Sequence, residues 1–379
     1  MSSNVVEQTD VASAREAPLT NSGNRIPCPV TALVSLTAFA LLALSIDRFL
    51  PNRHILPEDR FATWMDSLPA WKRPYPFFLG LMLVFSLLLG FTQFVWQRLR
   101  PWARYYAPLL AGGLGVLCIW DLSTAKLAWM PQPFFPGPDE VFGALIEDTI
   151  YQSIKILDDN GGLSAAWEAL WDERRSILLV STVYSLKLLL AGFMTGAVVG
   201  FVWGVLIGWF RLARYWGMPV LKLVGPMPAT ALVPLAMLLS TDSFVCAMML
   251  IAYAVWFPMT MLTASGIANV RLSYLDVART LGAGKGYLIF RVAIPSALPN
   301  VFLGLFVGLT ASFLTLAAAE TLGVKAGLAW YLGWRKSNAE YANTFASIMI
   351  MSVFFSSLMT LLFKVRERVL KWQQGTIRW

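Results

Sequence analysis

Apolar positions in this chain gather into long unbroken blocks separated by short polar stretches, with little of the three-to-four spacing of a half-buried surface helix. A helix of about 20 apolar residues crosses the hydrocarbon core of a bilayer. On that measure eight blocks qualify: 26–46, 77–96, 105–120, 188–210, 223–240, 244–267, 301–319 and 345–363. The third is short, and the fifth carries Pro226, Pro228 and Pro234. The pattern predicts an all-α integral membrane protein, a polytopic bundle of about eight transmembrane helices. Residues 1–25 are polar and read as a disordered tail, without the basic start and short apolar core of a cleaved signal peptide.

An acidic segment, 126–175, separates the third and fourth blocks. Within it Pro136-Gly137-Pro138-Asp139-Glu140 predicts a helix start, with proline early and carboxylates on the positive end of the dipole. Val141, Phe142, Leu145, Ile146, Ile150 and Ile154 then recur at helical spacing. Such a stripe suits the membrane surface or a neighbouring helix.

Loop charges orient the blocks, because cations collect in cytoplasmic loops. Arg98, Arg100 and Arg104 follow the second block, Arg211 and Arg214 the fourth, and Arg271, Arg279, Lys285 and Arg291 the sixth. Lys364, Arg366, Arg368 and Lys371 follow the eighth. All share one side if both termini are cytoplasmic; the loop from Arg48 to Arg73, with five cations, runs against this and is partly offset by Glu58, Asp59 and Asp66.

Composition sharpens the class. Hydrophobic residues are 57% and charged ones 14%, with mean hydropathy +0.60, against about a quarter charged in soluble domains. The net charge of +8 therefore reads as loop cations and not as a nucleic-acid surface. Cys28, Cys118 and Cys246 have neither metal-ligand nor disulfide spacing, and His54, the one histidine, leaves no relay or metal cluster to build. No phosphate loop for ATP is present: Gly282-Ala283-Gly284-Lys285-Gly286 lacks a preceding strand and a following Ser or Thr. The blocks are almost free of mid-membrane charge, so the ionisable groups expected of ion coupling are missing too. An energy source outside the chain is the consistent answer. An ion-coupled carrier, or a membrane scaffold without transport, remains the alternative.

One polar loop carries a motif. Asp276-Val277-Ala278, Gly282 and then Val292-Ala293-Ile294-Pro295 resemble the "Glu-Ala-Ala, x3, Gly, x9, Ile-x-Leu-Pro" loop of ABC-importer permeases. Four further stretches resemble the nitrate/sulfonate/taurine/bicarbonate subfamily in order. They are Pro136-x-Pro138-x-x-Val141; Pro228-Ala-Thr-Ala231-Leu-Val-Pro234-Leu235, like its "PPxALxPL" helix; Phe257-Pro258 with Thr263 and Gly266; and Ala319-Glu320 with Gly327-Leu328. The chain departs from the pattern at Asp276, Val277, Ile294 and Ala329.

This resemblance implies a type I ABC importer permease, a six-helix core with two extra N-terminal helices. Its parts would be a cytoplasmic tail (1–25), a two-helix extension (26–104), the permease domain (105–370) with its coupling loop at 271–299, and a C-terminal tail (371–379). It further implies a homodimer in lipid in a bacterial inner membrane, two ATPase subunits and a periplasmic or surface-tethered solute-binding protein. No cofactor is expected on this chain; ATP and Mg would sit on the ATPase. The substrate class would be a small anion or organic solute.

Asp276, Val277, Ala278, Gly282, Ala283, Ile294 and Pro295 are the expected ATPase-coupling residues. Asp276 is expected to cap a helix beginning near residue 275, and Ala278 to press into the partner. Thr230, Thr263, Thr310, Ser312 and Thr315 either line a path or bond between helices. Glu320, at the outer mouth, either meets the binding protein or pairs with Lys325 or Arg335.

Overall fold

In hydrocarbon every backbone N–H and C=O must be satisfied within its own segment, so apolar blocks of this length become helices. A computed structural model of the chain describes residues 29–50, 74–95, 100–130, 133–151, 178–239, 242–324 and 326–373. All regular elements among them are helical. Both tails beyond these bounds, most of the loop at 48–73, Cys28, Ile154 and Lys325 lie outside the described residues.

The chain divides into two units, Met1–Leu127 and Ala128–Trp379. In the first, α1 (Pro29–Phe49), α2 (Pro74–Val95) and α3 (Arg100–Asp121) pack together, α1 against both others. A π-helical turn, Leu122–Lys126, follows α3. The buried Lys126 Nζ donates to the carbonyls of Asp47 (3.2 Å) and Leu50 (2.9 Å), closing the C-terminal end of α1. The expected permease domain, from 105, thus begins inside this unit.

The second unit holds α4 (Pro138–Ile146), α5 (Leu178–Trp209), α6 (Arg211–Val224), α7 (Val233–Leu239), α8 (Ser243–Ala268), α9 (Leu272–Thr280), α10 (Ile294–Ala319), α11 (Leu328–Ser337) and α12 (Tyr341–Val369). As the sequence predicts, α4 opens on Gly137 and Pro138 and lies on a neighbouring helix, α12, with Val141 and Ala144 buried. Asp242 caps α8 by accepting from Phe244 N–H at 2.9 Å.

Six stretches among the described residues are long and apolar enough to cross a membrane: Pro74–Phe91, Tyr106–Lys126, Leu178–Trp209, Ser243–Ala268, Lys285–Ala319 and Tyr341–Val369. The 21-residue α1 carries the predicted first span. The predicted fifth span, 223–240, is broken. Its residues form no single helix: α6 stops at Val224, and a short 3-10 turn, Ala229–Leu232, leads into α7, with the pair bent by 81°. Pro226 and Pro228 interrupt the hydrogen-bond ladder there, and a Cβ at Gly225 would fall 1.9 Å from the Phe257 ring.

The core of this unit is a three-helix sandwich of α5, α8 and α10. On α5 every fourth residue from 192 to 208 is glycine, and each faces a residue of α8 in the same ascending register: Gly192 on Ile251, Gly196 on Val255, Gly200 on Met259, Gly204 on Thr263, Gly208 on Ile267. The two helices therefore run parallel, closely enough for glycine alone to fit the seam. Opposite them Gly304 meets Met259 and Gly308 meets Val255, so α10 runs antiparallel to α8. The sequence reading overlooked this stripe, although its period of four is legible.

Candidate functional site

The polar hairpin between α8 and α10 is built on one glycine. Helix α9 ends in a Schellman motif: Ala283 N–H bonds Ala278 C=O (3.0 Å), and Gly282 N–H bonds Arg279 C=O (2.9 Å). Gly282 takes φ +83°, the left-handed region that other residues enter only with strain. The return arm is a single turn, Lys285–Tyr287, then a π-helical stretch, Leu288–Ala293, running into α10 at Ile294.

The hairpin has two faces. Its inner face joins Leu275 and Leu288 to Ile267, Val270, Ala293 and Ala297, with Val205 and Trp209 of α5 packed alongside. One small cluster thus ties the hairpin to the ends of α5, α8 and α10. The outer face leaves large apolar side chains in the open: Leu281 is 82% exposed, Leu272 70% and Val277 61%, beside exposed Tyr274, Tyr287 and Phe290. Leu272, Tyr274, Val277 and Leu281 lie between the membrane-crossing stretches, and apolar side chains massed there suit an interaction surface.

Two expectations for this loop are corrected, those for Asp276 and Ala278. Helix α9 begins at Leu272 with Arg271 as its N-cap, so Asp276 lies within the helix and caps nothing; it pairs with Arg279 at 3.0 Å on the surface. Ala278 packs on the hairpin's own inner cluster, as does Ala283, so neither is the outward knob. Ile294 and Pro295 open α10 and are half-buried.

The five hydroxyls separate. Thr230, on the turn before α7, and Thr310 are exposed; Thr310 bonds its own helix at Phe306 C=O (3.1 Å). Thr263, Ser312 and Thr315 are buried. Ser312 and Thr315 donate to Leu309 and Ala311 carbonyls, and Thr263 is pressed against Gly204. As lining of a path along this chain's surface these three are withdrawn.

At the other end of α10, about 39 Å along the helix axis, a second polar cluster fixes the loop. Glu320 is fully buried; its carboxylate accepts from Ser185 Oγ (2.5 Å) and from Ala329 N–H (2.7 Å), while Leu328 N–H donates to Ser185 Oγ (2.8 Å). It thus caps the N-terminus of α11, where a carboxylate meets the helix dipole. A Cβ on Gly327, at φ +99°, would fall 2.3 Å from the carboxyl carbon.

The expected pairing of Glu320 with Arg335 is corrected. Arg335 pairs with Asp148 (3.1 Å) and Glu340 instead of Glu320; its Nε donates to Tyr331 OH (2.8 Å), which in turn donates to Asp148. Burial pushes the Asp148 carboxyl up, opposed by the Tyr331 hydrogen bond and the Arg335 charge. Burial, then Asp148, raises the Tyr331 phenol. With the Asp148 side chain 3% and Arg335 12% exposed, removing one partner strands a buried charge, at about 3–5 kcal/mol. Arg335→Met should therefore lower the unfolding midpoint of the solubilised protein sharply, and Arg335→Met with Asp148→Asn should recover much of the loss. Equal midpoints for the two variants would contradict this reading.

Among the described residues no group of three His, Cys, Asp or Glu is placed to hold a metal, and Cys118 and Cys246 are buried, free thiols. What the geometry offers is mechanical: an exposed face with large apolar side chains, bound firmly to three long helices.

Residues 196–372 match the family described as "Binding-protein-dependent transport system inner membrane component". The chain is similar to the bicarbonate transport system permease protein of Synechococcus elongatus, 28% identical over 272 residues, which covers 71% of this chain and 87% of that one. It is similar to the nitrate import permease protein of the same species, 27% identical over 264 residues (70% and 86%). A putative aliphatic sulfonates transport permease protein of Bacillus subtilis is 29% identical over 184 residues (48% and 67%).

Proposed function

We propose, from the match of residues 196–372 to the family described as "Binding-protein-dependent transport system inner membrane component", that this chain is the membrane half of an importer driven by a separate ATPase docked on the hairpin 272–293. The observation that carries this reading is the hairpin's division of labour. Its outer face exposes large apolar side chains, and its inner face is one cluster with the ends of α5, α8 and α10.

A closing movement of the ATPase would push on Val277, Leu281 and Tyr287 and be delivered to three helices together. Those helices are seamed by glycines at van der Waals contact and respond as a block, because packed interiors transmit displacement without absorbing it. Rocking of two such blocks, one from each copy in a homodimer, opens a central path to alternate sides, a rigid-body switch. Thr230 and Thr310, the exposed hydroxyls, are the remaining candidates to face that path. Both termini and the hairpin lie in the cytoplasm under this reading. The solute-binding protein then docks at the opposite end, where Glu320 shapes the loop between α10 and α11. A small anion of the bicarbonate, nitrate or sulfonate kind is the substrate class, following the relatives.

The test is reconstitution of the permease in liposomes with a candidate ATPase and a candidate solute-binding protein from the same organism. Uptake of labelled solute should require all three proteins and ATP, and ATP hydrolysis should rise when loaded binding protein is added outside. Uptake by the permease alone down an ion gradient would instead identify a secondary carrier, and no dependence on any solute would identify a scaffold.

A further inference from the structure

A cavity of about 620 Å³ lies between the hairpin-proximal end of α5, helix α6 and α8. Its size falls within the roughly 300–1,000 Å³ of small-molecule sites, but its wall is apolar. Trp203 of α5, Trp256 of α8 and Trp216, Ala213, Val220 and Leu221 of α6 form most of it. The indole N–H groups are the only side-chain hydrogen-bonding groups in this lining, and two of its three walls are membrane-crossing helices, so hydrocarbon is the ligand chemistry that fits.

Helix α6 adds charge. Its sequence holds Arg211, Arg214 and Lys222 and no carboxylate. Arg214 is spent on the open end of α5, donating from Nε to Ile207 C=O (3.1 Å) and from Nη2 to Gly208 C=O (2.5 Å). Arg211 and Lys222 are exposed, and each adjoins in sequence residues that line the cavity. An amphipathic helix with apolar and cationic faces lies in the membrane interface and favours anionic lipid, and indoles prefer the same depth.

We propose that this cavity is a binding site for an anionic phospholipid, one acyl chain seated among Trp203, Trp216 and Trp256 and the anionic headgroup drawn to the positive field of α6, with Arg211 near one end of the helix and Lys222 near the other. The site lies apart from the hairpin's outer face and stands or falls independently of ATPase docking. The lipid completes the packing between α6 and the α5–α8 pair, filling a void that the protein leaves.

The experiment is native mass spectrometry of the full-length permease in detergent, titrated with phosphatidylglycerol and with phosphatidylcholine of the same chains. The wild type should bind the anionic lipid about tenfold or more tightly than the zwitterionic one. Arg211→Gln with Lys222→Gln should abolish that preference, and Ala213→Phe, which fills the cavity, should weaken both lipids. A second readout guards against misfolding: in nanodiscs, phosphatidylglycerol brominated on its acyl chain should quench indole emission, less so in Trp216→Phe. Undiminished preference in the double glutamine variant would overturn the proposal. So would an Ala213→Cys variant that forms a disulfide between two copies, since the occupant would then be a second permease.

Discussion

Replacing Gly196 by leucine should leave almost no folded permease in the membrane. A Cβ at this position would sit 2.3 Å from the carbonyl oxygen of Ala252 and 2.8 Å from Val255 Cβ. The first contact is with backbone, which no rotamer change relieves, so α5 and α8 would have to part along a seam that runs from Gly192 to Gly208. Ordinary overpacking costs about 1–3 kcal/mol; prising apart two central helices exceeds that, and folded domains have only about 5–15 kcal/mol in hand. Gly196→Ala should already reduce the yield of monodisperse protein after detergent extraction. Gly333, on α11, is the control: nothing lies within 4 Å of a Cβ there, so Gly333→Ala should be neutral or slightly stabilising by its gain in helix propensity. Matched yields for the 196 and 333 variants would mean that α5 and α8 are not in contact along this seam.

The helices were legible because a bilayer demands long apolar segments, and nothing else in the chain looks like them. The Gly282 turn was legible because one residue type dominates the left-handed position after a helix. Other features depended on three-dimensional placement. The fifth apolar block is as hydrophobic as a span, but two prolines break it, beside a close approach of the Phe257 ring that only a glycine at 225 allows. Asp276 looks like a helix cap because the motif draws the eye to it, yet the helix starts four residues earlier, at Leu272. Thr263, Ser312 and Thr315 have the composition of path lining, but which side of a buried helix a hydroxyl faces is decided by its neighbours. Arg335 was a fair partner for Glu320 by proximity in sequence; Asp148, 187 residues away, claims it instead. The cavity beside α6 has no motif at all.

The second large effect is expected at the hairpin tip. Gly282→Val places a β-branched residue at φ +83°, at a cost of about 1–2 kcal/mol for the left-handed conformation alone, and dissolves the Schellman pair that sets the angle between α9 and the return arm. Because Gly282 lies between the membrane-crossing stretches Ser243–Ala268 and Lys285–Ala319, insertion and abundance should stay near wild type, while ATP-dependent uptake should fall by about tenfold or more, equivalent to 1.4 kcal/mol of docking or coupling. Val277→Arg and Leu281→Arg should act similarly without touching the turn, by placing charge on the apolar outer face. Ala278→Arg should behave differently, lowering abundance as well, since Ala278 packs inward on the cluster of Leu275 and Ala293. Both steady-state permease levels and uptake, measured in the same membranes, separate these outcomes.

The central claim is that the outer face of this hairpin is where the ATPase sits. It is tested most directly by introducing single cysteines at Val277, Leu281 and Tyr287, and at Thr310 as a reference, on a background without the three native cysteines. A short bifunctional reagent is then applied to membranes holding the co-expressed ATPase. The account predicts permease–ATPase adducts from all three hairpin positions, changed in yield by ATP, and none from position 310. Absence of adducts from the hairpin in membranes that still show ATP-dependent uptake would contradict it.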